Sequence, residues 1–418
     1  MMARHYKWLV LVLFWFIFFL NQADRQVIFS VFPLVKGELA LSDAQLGLLG
    51  SAFFWVYGML VPVAGGLGDR FSRRSIVILS LVVWSAATLA SCFAGSLLAL
   101  IIFRGLTASG EAFYYPAANS MISDYHGRET RSTAMAIHQT SNYFGVMVSG
   151  GLAGYIGQRY GWRSSFFVFG SAGLLVALAA PATLREPRRG MSEAAAAPAV
   201  ILTLGERLRA SAGSPTLVLH TLGFVAMLLT LTAYLTWTPT LLYRKFGLGL
   251  AEAGFHATFW HHLGAMAGTL IGGRIADHWA RRTVLSRPLT QIFGLSLAAP
   301  FIYLTGASAD RLLVFASLGL FGVFRGFYDS NLLASPYEVI RPQARATATG
   351  LMLAAAFLLG GVSPMLTGWL SQKLSLGPAL SVTSGFYLAA AALLAADALL
   401  FFRKGAMRLK TAMEEVGQ

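Results

Sequence analysis

The sequence predicts an all-α membrane protein with twelve transmembrane helices in two pseudo-symmetric six-helix bundles. Three observations lead to this expectation: an apolar composition, twelve apolar runs of membrane-spanning length, and charged motifs that recur in the second half of the chain. Of the 418 residues, 56% are hydrophobic and 12% are charged, whereas soluble domains average about 45–50% and about 25%. The composition therefore excludes an ordinary soluble protein.

Twelve runs are long enough to cross about 30 Å of hydrocarbon, which takes about 20 helical residues. The first run is expected to be a retained span, because its apolar character continues past Asp24 and Arg25 without a small-residue cleavage site. The predicted spans are residues 8–33, 44–67, 75–95, 97–122, 132–157, 163–184, 216–241, 254–276, 284–306, 311–337, 346–371 and 377–402.

Charge placement predicts the topology. The net charge is +14, and most of the 32 Lys and Arg residues lie in the loops of one side. The positive-inside rule then places both termini in the cytoplasm and the chain in a cell membrane, with the bacterial inner membrane favoured. The predicted regions are a six-helix bundle at 1–184, a cytoplasmic linker at 185–214, a second bundle at 215–402 and a cytoplasmic tail at 403–418.

The basic tail carries Arg403, Lys404, Arg408 and Lys410. A solvated positive-inside segment is the favoured interpretation, and contact with anionic lipid is the alternative. The charge thus indicates membrane lipids as partners rather than nucleic acid, and we expect a monomer. A single cysteine, Cys92, excludes a disulfide framework and a thiolate metal cluster. No metal or cofactor is predicted, although His256, His261 and His262 lie close together in sequence.

Two charged motifs recur. Gly65 is followed by Asp69 and a pair of Arg residues at the end of the second span, and Gly273 is followed by Asp277 and a pair of Arg residues at the end of the eighth. Asp124 and Arg131 recur 214 residues later as Glu338 and Arg345. Two six-span halves joined by a linker are the architecture of a transporter that rocks around a site at the membrane midplane.

The first of these motifs resembles the signature loop of the major facilitator superfamily, with Ser72 where a Gly is usual. The resemblance extends over essentially the whole chain. The motifs that resemble spinster-type transporters are Asp24-Arg25, Gly68-Asp69-Arg70, Arg104-Gly105-Leu106, Gly110-Glu111-Ala112 and Arg185-Glu186-Pro187. The first and fourth spans also resemble the anion:cation symporters of sugar acids and organic anions. Span five lacks the Gly-Pro signature of many drug:proton antiporters, because Gly145–Gly151 contains no proline.

Charged side chains lie within several predicted spans, and a charge at the membrane centre costs at least about 2.5–3.5 kcal/mol. Glu111 is the predicted proton carrier and Asp24 a coupled second carboxylate. Arg104, with Arg25 as helper, is expected to bind an anionic substrate group or to pair with the carboxylates. The resemblance likewise implies that the span-one Asp and the span-four Arg and Glu take part in coupling. The alternative is a structural salt bridge between spans one and four.

In the second half, Arg325 occupies the position 214 residues after Glu111, and Asp329 follows it by one helical turn. Arg325 either pairs with Asp329 or faces the cavity and binds a substrate carboxylate, phosphate or sulfate. Further candidates for substrate binding are, taken one at a time, more often interhelical packing or interface anchors. They are His138, Asn142, Tyr143, Tyr115 and Trp237.

Charges at the span ends predict a conformational gate. Asp69 and Asp277 can pair with Arg131 and Arg345, or with a helix N-terminus, and such pairs must break when the cytoplasmic side opens. The candidate gate residues are Asp69, Arg70, Arg73, Arg74, Asp124, Arg131, Asp277, Arg281, Glu338 and Arg345.

The predicted function is proton-coupled secondary active transport of an organic or amphipathic anion, such as a sugar acid, an organic acid or a lysolipid. One alternative is a lipid exporter or uniporter whose buried charges form a structural gate. Another is a membrane sensor that does not transport. An enzyme is not expected, because no nucleophile–base or metal constellation lies at one membrane interface.

Overall fold

The computed structural model describes residues 2–127, 129–188, 191, 203, 205–206, 209, 211 and 213–416, excluding the side chains of 2–4, 65–69, 410 and 412–416. Within these ranges the chain is helical and contains no strand. The helices of the first half are α1 Met2–Ser30, α2 Phe32–Leu39, α3 Asp43–Arg70, α4 Arg73–Ser91, α5 Leu97–Tyr125, α6 Arg131–Tyr160 and α7 Trp162–Thr183.

The second half is divided into more helices than the first. Its α-helices are α8 Pro215–Phe246, α9 Leu250–Ala280, α10 Ser286–Ala307, α11 Arg311–Asp329, α12 Ala334–Tyr337, α13 Arg345–Gly360, α14 Ser363–Leu374, α15 Leu376–Val382, α16 Ser384–Asp397 and α17 Arg403–Val416. A 3₁₀ turn, Pro342–Ala344, precedes α13, and a π-helical segment, Ala398–Phe402, joins α16 to α17.

Side-chain caps explain several helix starts. Ser72 Oγ accepts a hydrogen bond from the backbone N–H of Ser75 at 3.2 Å, and Ser96 does the same for Ala99. Asp310 Oδ1 accepts from the N–H groups of the first turn of α11. Each cap satisfies a donor that the helix itself leaves without a partner.

Ten stretches of the described chain are long and apolar enough to cross a membrane. The other two predicted spans correspond to α6 and α9, helices of 30 and 31 residues. The prediction of an all-helical, membrane-spanning fold is therefore confirmed.

Four predicted spans are interrupted, and local chemistry explains two of the breaks. The first span divides into α1 and α2, with Pro33 in the first turn of α2. The eleventh divides after Gly360, with Pro364 at the start of α14. Proline lacks the N–H that continues a helix but fits its first turn. The tenth and twelfth spans are also divided, after Asp329 and after Val382.

Contacts group the chain into two compact units. Unit 1 comprises Met1–Ala199 with Leu235–Phe259, and unit 2 comprises Val200–Tyr234 with Trp260–Gln418. The end of α8 and the beginning of α9 therefore group with the first seven helices. The predicted division at the linker 185–214 stays a prediction.

Within unit 1, α6 and α9 meet at glycine. A Cβ atom added to Gly254 would lie 2.0 Å from the carbonyl oxygen of Gly150, and one added to Gly154 would lie 2.3 Å from the carbonyl oxygen of Leu250. No larger residue fits without moving a backbone. Small residues four apart, here Gly150 and Gly154, are the usual means of close helix packing in membranes.

Candidate functional site

Unit 1 brings together four charged side chains from two helices, of which Arg25 is only partly buried, with its side chain 20% exposed. Asp24 and Arg25 lie on α1, and Arg104 and Glu111 lie on α5. Asp24, Arg104 and Glu111 are each at most 3% exposed. A neighbouring helix, α3, supplies the aromatic side chains Phe53 and Tyr57. We call the four charged and two aromatic side chains the ionic centre.

Arg25 is the partner of Glu111. Its Nε donates a hydrogen bond to Glu111 Oε2 and forms an ion pair that joins α1 to α5. The guanidinium also lies 4.6 Å from the ring centroid of Tyr57, within cation–π range. The other carboxylate oxygen, Glu111 Oε1, is buried without a hydrogen-bond donor among the described residues.

Arg104 is held by aromatic rings instead of by carboxylates. Its guanidinium lies 4.6 Å from the ring of Phe53 and 5.5 Å from that of Phe29. Its Nε and Nη2 atoms are buried and have no acceptor in the described part of the chain. A buried charged donor without an acceptor carries a desolvation cost. Arg25 therefore takes the carboxylate-pairing role that the sequence assigned first to Arg104.

Asp24 contacts a third helix. Thr88 Oγ1 on α4 donates to Asp24 Oδ2 at 3.3 Å, whereas Asp24 Oδ1 has no donor within the described ranges. Asp24 and Arg25 thus face different neighbours. This is expected of consecutive residues on a helix, which do not share a face.

Unit 2 has a different arrangement at the position that corresponds to Glu111. Arg325 Nε lies 3.0 Å from Asp329 Oδ2 on the same helix, and Arg325 Nη1 lies 2.9 Å from His261 Nε2. Because a guanidinium only donates, His261 accepts at Nε2 and we infer that its ring is neutral. The intrahelical pair is therefore present, and substrate binding by Arg325 stays a prediction.

The other candidates for substrate binding differ in exposure. The His138 ring is buried, stacks on Phe18 at 4.8 Å and has Nε2 3.1 Å from the hydroxyl of Tyr114. Trp237 is fully buried with its ring 5.5 Å from that of Phe32. Such contacts are typical of interhelical packing. Tyr115 is exposed, and Asn142 and Tyr143 are half-buried. Their roles stay predictions.

The candidate gate of unit 1 is centred on Arg73. Its Nη1 donates to Asp124 Oδ2 at 2.5 Å and its Nε to Glu186 Oε1 at 3.0 Å. Arg74 donates to the carbonyl oxygens of Pro181 and Leu184. Together these bonds tie the start of α4 to α5, to the end of α7 and to the residues that follow it.

Glu186 completes this cluster. Its carboxylate accepts from the N–H of Arg74 at 2.7 Å and from Ser72 Oγ at 2.9 Å. Burial raises the pKa of the Glu186 carboxyl, but the hydrogen bonds from Arg74, Ser72 and Arg73 outweigh it and hold the pKa below its usual value. Ser72, where the resembling motif has Gly, therefore both caps α4 and binds the residue that follows α7.

The remaining gate candidates of unit 1 are Arg131, Arg70 and Asp69. Arg131 Nε donates to the carbonyl oxygen of His126 at 3.3 Å, and Arg70 is exposed. The side chain of Asp69 lies outside the described residues, so its predicted pairing with Arg131 stays a prediction.

In unit 2, Arg287 takes the position that corresponds to Arg73. Its Nε donates to Glu338 Oε1 at 2.7 Å and its Nη2 to Asp277 Oδ1 at 3.0 Å. Burial raises the pKa of the Glu338 carboxyl above its usual value in spite of the Arg287 hydrogen bond. Arg281 is exposed.

The predicted pairing of Asp277 with Arg345 is thus replaced by pairing with Arg287. Arg345 instead donates to the carbonyl oxygens of Tyr337 and Ile340, at 2.9 and 3.4 Å, and holds the loop that precedes α13. Sequence analysis missed Arg287 as a gate residue because it matched Arg73 to Arg281. The repeated dipeptides Ser72-Arg73 and Ser286-Arg287, 214 residues apart, were the signal that would have found it.

A second cluster that the sequence did not predict lies in unit 1, at the start of α3. Arg244 donates two hydrogen bonds to the Asp43 carboxylate, at 2.7 and 2.8 Å, and Lys36 donates a third at 2.7 Å. We call these three residues the Asp43 cluster. It joins α2, the start of α3 and the end of α8.

No group of three or more His, Cys, Asp or Glu side chains in the described chain is placed to hold a metal ion. His261 and His262 touch edge to face, with ring centroids 5.1 Å apart, and His256 lies 3.9 Å from Glu252. The expectation that the protein needs no metal stays a prediction.

Comparison with protein families gives one match over most of the chain. The model described as Major Facilitator Superfamily matches residues 14–364. Among curated relatives, protein spinster homolog 1 of Xenopus laevis is 27% identical over 397 residues, which cover 88% of this chain and 74% of that protein. A probable galactarate/D-glucarate transporter, GudP, of Bacillus subtilis (strain 168) is 28% identical over 349 residues, which cover 77% and 76%.

Solved structures show the same fold. A crystal structure of a bacterial homolog to the human lysosomal transporter spinster, inward-facing and unoccupied, matches with a TM-score of 0.85 at 23% identity, covering 96% of this chain and 98% of that one. A D-xylose–proton symporter matches with a TM-score of 0.73 at 15% identity, covering 94% and 97%.

Proposed function

The chain belongs to the Major Facilitator Superfamily, and from this membership we propose that it is a proton-coupled secondary active transporter of an organic or amphipathic anion. It works by alternating access, as a monomer in a cell membrane, with both termini in the cytoplasm. A bacterial inner membrane is the proposed location. The family consists of transporters, so no catalytic residue is assigned.

One observation carries the proposal: the ionic centre contains a buried arginine with two donor atoms that meet no acceptor among the described residues. Arg104 Nε and Nη2 have no acceptor within the described residues, while the neighbouring Arg25 is neutralised by Glu111. Planar guanidinium donors suit a carboxylate, phosphate or sulfate oxygen. Arg104 is therefore the proposed anchor of the anionic group of the substrate.

Proton coupling follows from competition for Arg25. When an anion binds at Arg104, it draws Arg25 away from Glu111, and Glu111 then takes up a proton to remain neutral in a buried position. Asp24, whose Oδ1 lacks a donor among the described residues, is a second proton acceptor in the same centre. Substrate anion and proton thereby enter together, and each favours the other's binding.

The substrate class is supported by the relatives and by the aromatic lining. One relative is named for galactarate and D-glucarate, two sugar acids whose carboxylates are anionic, whereas the spinster name states no substrate. Phe29, Phe53 and Tyr57 place apolar surface against the two guanidinium groups. A sugar acid, an organic acid or a lysolipid would satisfy both features.

The test begins with a thermal-shift screen of sugar acids, organic acids and lysolipids on the purified protein at two pH values. The ligand with the largest shift is then used for uptake into proteoliposomes with an imposed pH gradient. We expect Glu111→Gln to lower gradient-driven uptake at least tenfold. Glu129→Gln, which alters an exposed carboxylate in a loop, is the matched control and should transport normally.

The Arg25–Glu111 ion pair also favours the alternative in which the buried charges are a structural lock of a uniporter or lipid exporter. In that case the pH gradient has no effect on wild-type uptake, and Glu111→Gln acts only by lowering thermal stability. Gradient-driven uptake that survives Glu111→Gln unchanged would defeat the proposed proton carrier.

A further inference from the structure

Unit 2 contains a cationic cavity that is separate from Arg325 and from the candidate gate. Its volume is about 590 Å³. Three segments form it: residues 213–216 at the start of α8, residues 339–341 before the 3₁₀ turn, and residues 400–409, which end the π-helical segment and begin α17. Arg341, Lys404 and Arg408 line it, and its described lining contains no carboxylate.

These three cations have no partner in the part of the chain that the structure describes. Arg341, Lys404 and Arg408 are exposed, and none forms a hydrogen bond or an ion pair with any other part of the described chain. Arg287 and Arg345 lie near the same loop and are both paired, with Glu338 and with backbone carbonyls. The cavity therefore collects positive charge that no carboxylate among the described residues compensates.

Backbone geometry adds to this charge. The cavity includes the N-terminus of α8, a helix of 32 residues, where Ser214 Oγ accepts from the N–H of Leu217 at 3.3 Å. The positive end of a helix dipole favours an anion such as phosphate. Gly405 brings the segments together, since a Cβ atom there would lie only 3.2 Å from Val339 Cγ1.

One wall of the cavity is apolar. Leu400 and Phe401 line it and are 56% and 40% exposed. Both belong to a stretch that is long and apolar enough to cross a membrane, so they offer apolar surface for acyl chains. A ligand that fills the cavity must then carry an anionic group toward the cations and hydrocarbon toward this wall.

We propose that this cavity binds an anionic phospholipid of the surrounding leaflet, with its phosphate between Arg341, Lys404 and Arg408 and its acyl chains along Leu400 and Phe401. A soluble phosphorylated compound would use the same cations but would leave the apolar wall uncovered, so the lipid is favoured. This site is distinct from the proposed transport site and does not depend on proton coupling.

Native mass spectrometry of the full chain in detergent tests the proposal. The protein is titrated separately with phosphatidylglycerol, phosphatidylcholine and glycerol 3-phosphate. We expect one phosphatidylglycerol to be retained in preference to the other two ligands. Arg408→Gln and Lys404→Gln should each lower its apparent affinity about fivefold, the size expected for one Lys or Arg at an anionic surface.

Arg403→Gln is the matched control, because Arg403 is exposed on the same helix, one residue before Lys404, and does not line the cavity. It should change the affinity less than twofold, and unchanged melting of all variants without lipid shows that they fold. An equal loss with Arg403→Gln would replace the site by diffuse surface charge. Equal retention of phosphatidylcholine, or displacement of the lipid by glycerol 3-phosphate, would also overturn the proposal.

Discussion

Units 1 and 2 resemble each other at the ends of their helices and differ in the middle. Arg73 pairs with Asp124 in unit 1, and Arg287 pairs with Glu338 in unit 2, both residues being displaced by 214. Arg131 and Arg345 each donate from Nε to a carbonyl oxygen five residues earlier. The helix-end chemistry of the repeat is thus preserved.

At the middle of the helices, residues 214 apart in sequence carry opposite charges. Unit 1 has Glu111, whose partner lies on a different helix, whereas unit 2 has Arg325, which is neutralised by Asp329 on its own helix. An interhelical pair can be separated by a small helix movement, while a pair one turn apart on one helix cannot. The proposed mechanism therefore assigns the charge changes of transport to unit 1.

The largest expected effect tests this asymmetry at the two arginines. Arg104→Ala should weaken binding of the screened ligand about 10–100-fold, because a hydrogen bond to a charged group contributes about 1.5–3 kcal/mol. Arg325→Ala should change the affinity less than about threefold, since Arg325 already pairs with Asp329 and donates a hydrogen bond to His261. Isothermal titration calorimetry gives both values. A loss confined to Arg325→Ala would make unit 2 the anion-binding half.

The helix-end pairs should differ in their contribution to stability. Each arginine binds two carboxylates, but the Arg73 side chain is 4% exposed and that of Arg287 is 23% exposed. Arg73→Gln should lower the free energy of unfolding by about 3 kcal/mol, as expected for a broken buried pair. Arg287→Gln should lower it by about 1 kcal/mol. Unfolding in mixed micelles measures both, and equal losses would show that burial does not separate the two pairs.

The smallest expected effect is a difference in pH dependence. Folding lowers the pKa of Glu186. Its contribution to the free energy of unfolding is therefore present above its unfolded pKa, about 4.3, and is lost as pH falls through the folded pKa. Folding raises the pKa of Glu338. Its contribution to the free energy of unfolding is therefore complete below the unfolded pKa and is lost as pH rises through the folded pKa. Glu186→Gln should flatten the acid-side loss of thermal stability.

The Glu338→Gln variant is the other arm of the same measurement. This variant should remove the loss of stability that ionisation of Glu338 causes as pH rises. Between pH 3 and pH 7, its melting temperature should therefore change relative to wild type in the direction opposite to that of Glu186→Gln. Parallel profiles for the two variants would mean that the clusters do not titrate as their environments indicate.

Composition and repeated motifs were sufficient to predict the fold, because membrane-spanning helices are dictated by apolar length. The breaks at Pro33 and near Pro364 could also have been predicted, since proline and glycine act locally. The division of the last span after Val382 has no comparable marker in the sequence. It depends on tertiary packing.

The candidate site was predictable in its members and not in its pairings. A charge inside a span is visible in the sequence, and Asp24, Arg104 and Glu111 are indeed buried. Which arginine meets Glu111 depends on how α1 and α5 are rotated against each other, and side-chain packing sets that rotation. The match of Arg73 to Arg287 was missed for a different reason: the loop after α9 is longer than the loop after α3.

The Asp43 cluster makes the protein sensitive to dissolved salt. Its two cations are only partly shielded, with the side chains of Lys36 and Arg244 39% and 31% exposed. Mobile ions screen such charges over about 8 Å at physiological ionic strength and over about 3 Å at 1 M. Concentrated salt should therefore weaken the attachment of α8 to α3 more than the pair at Glu111, whose two side chains are 20% and 0% exposed.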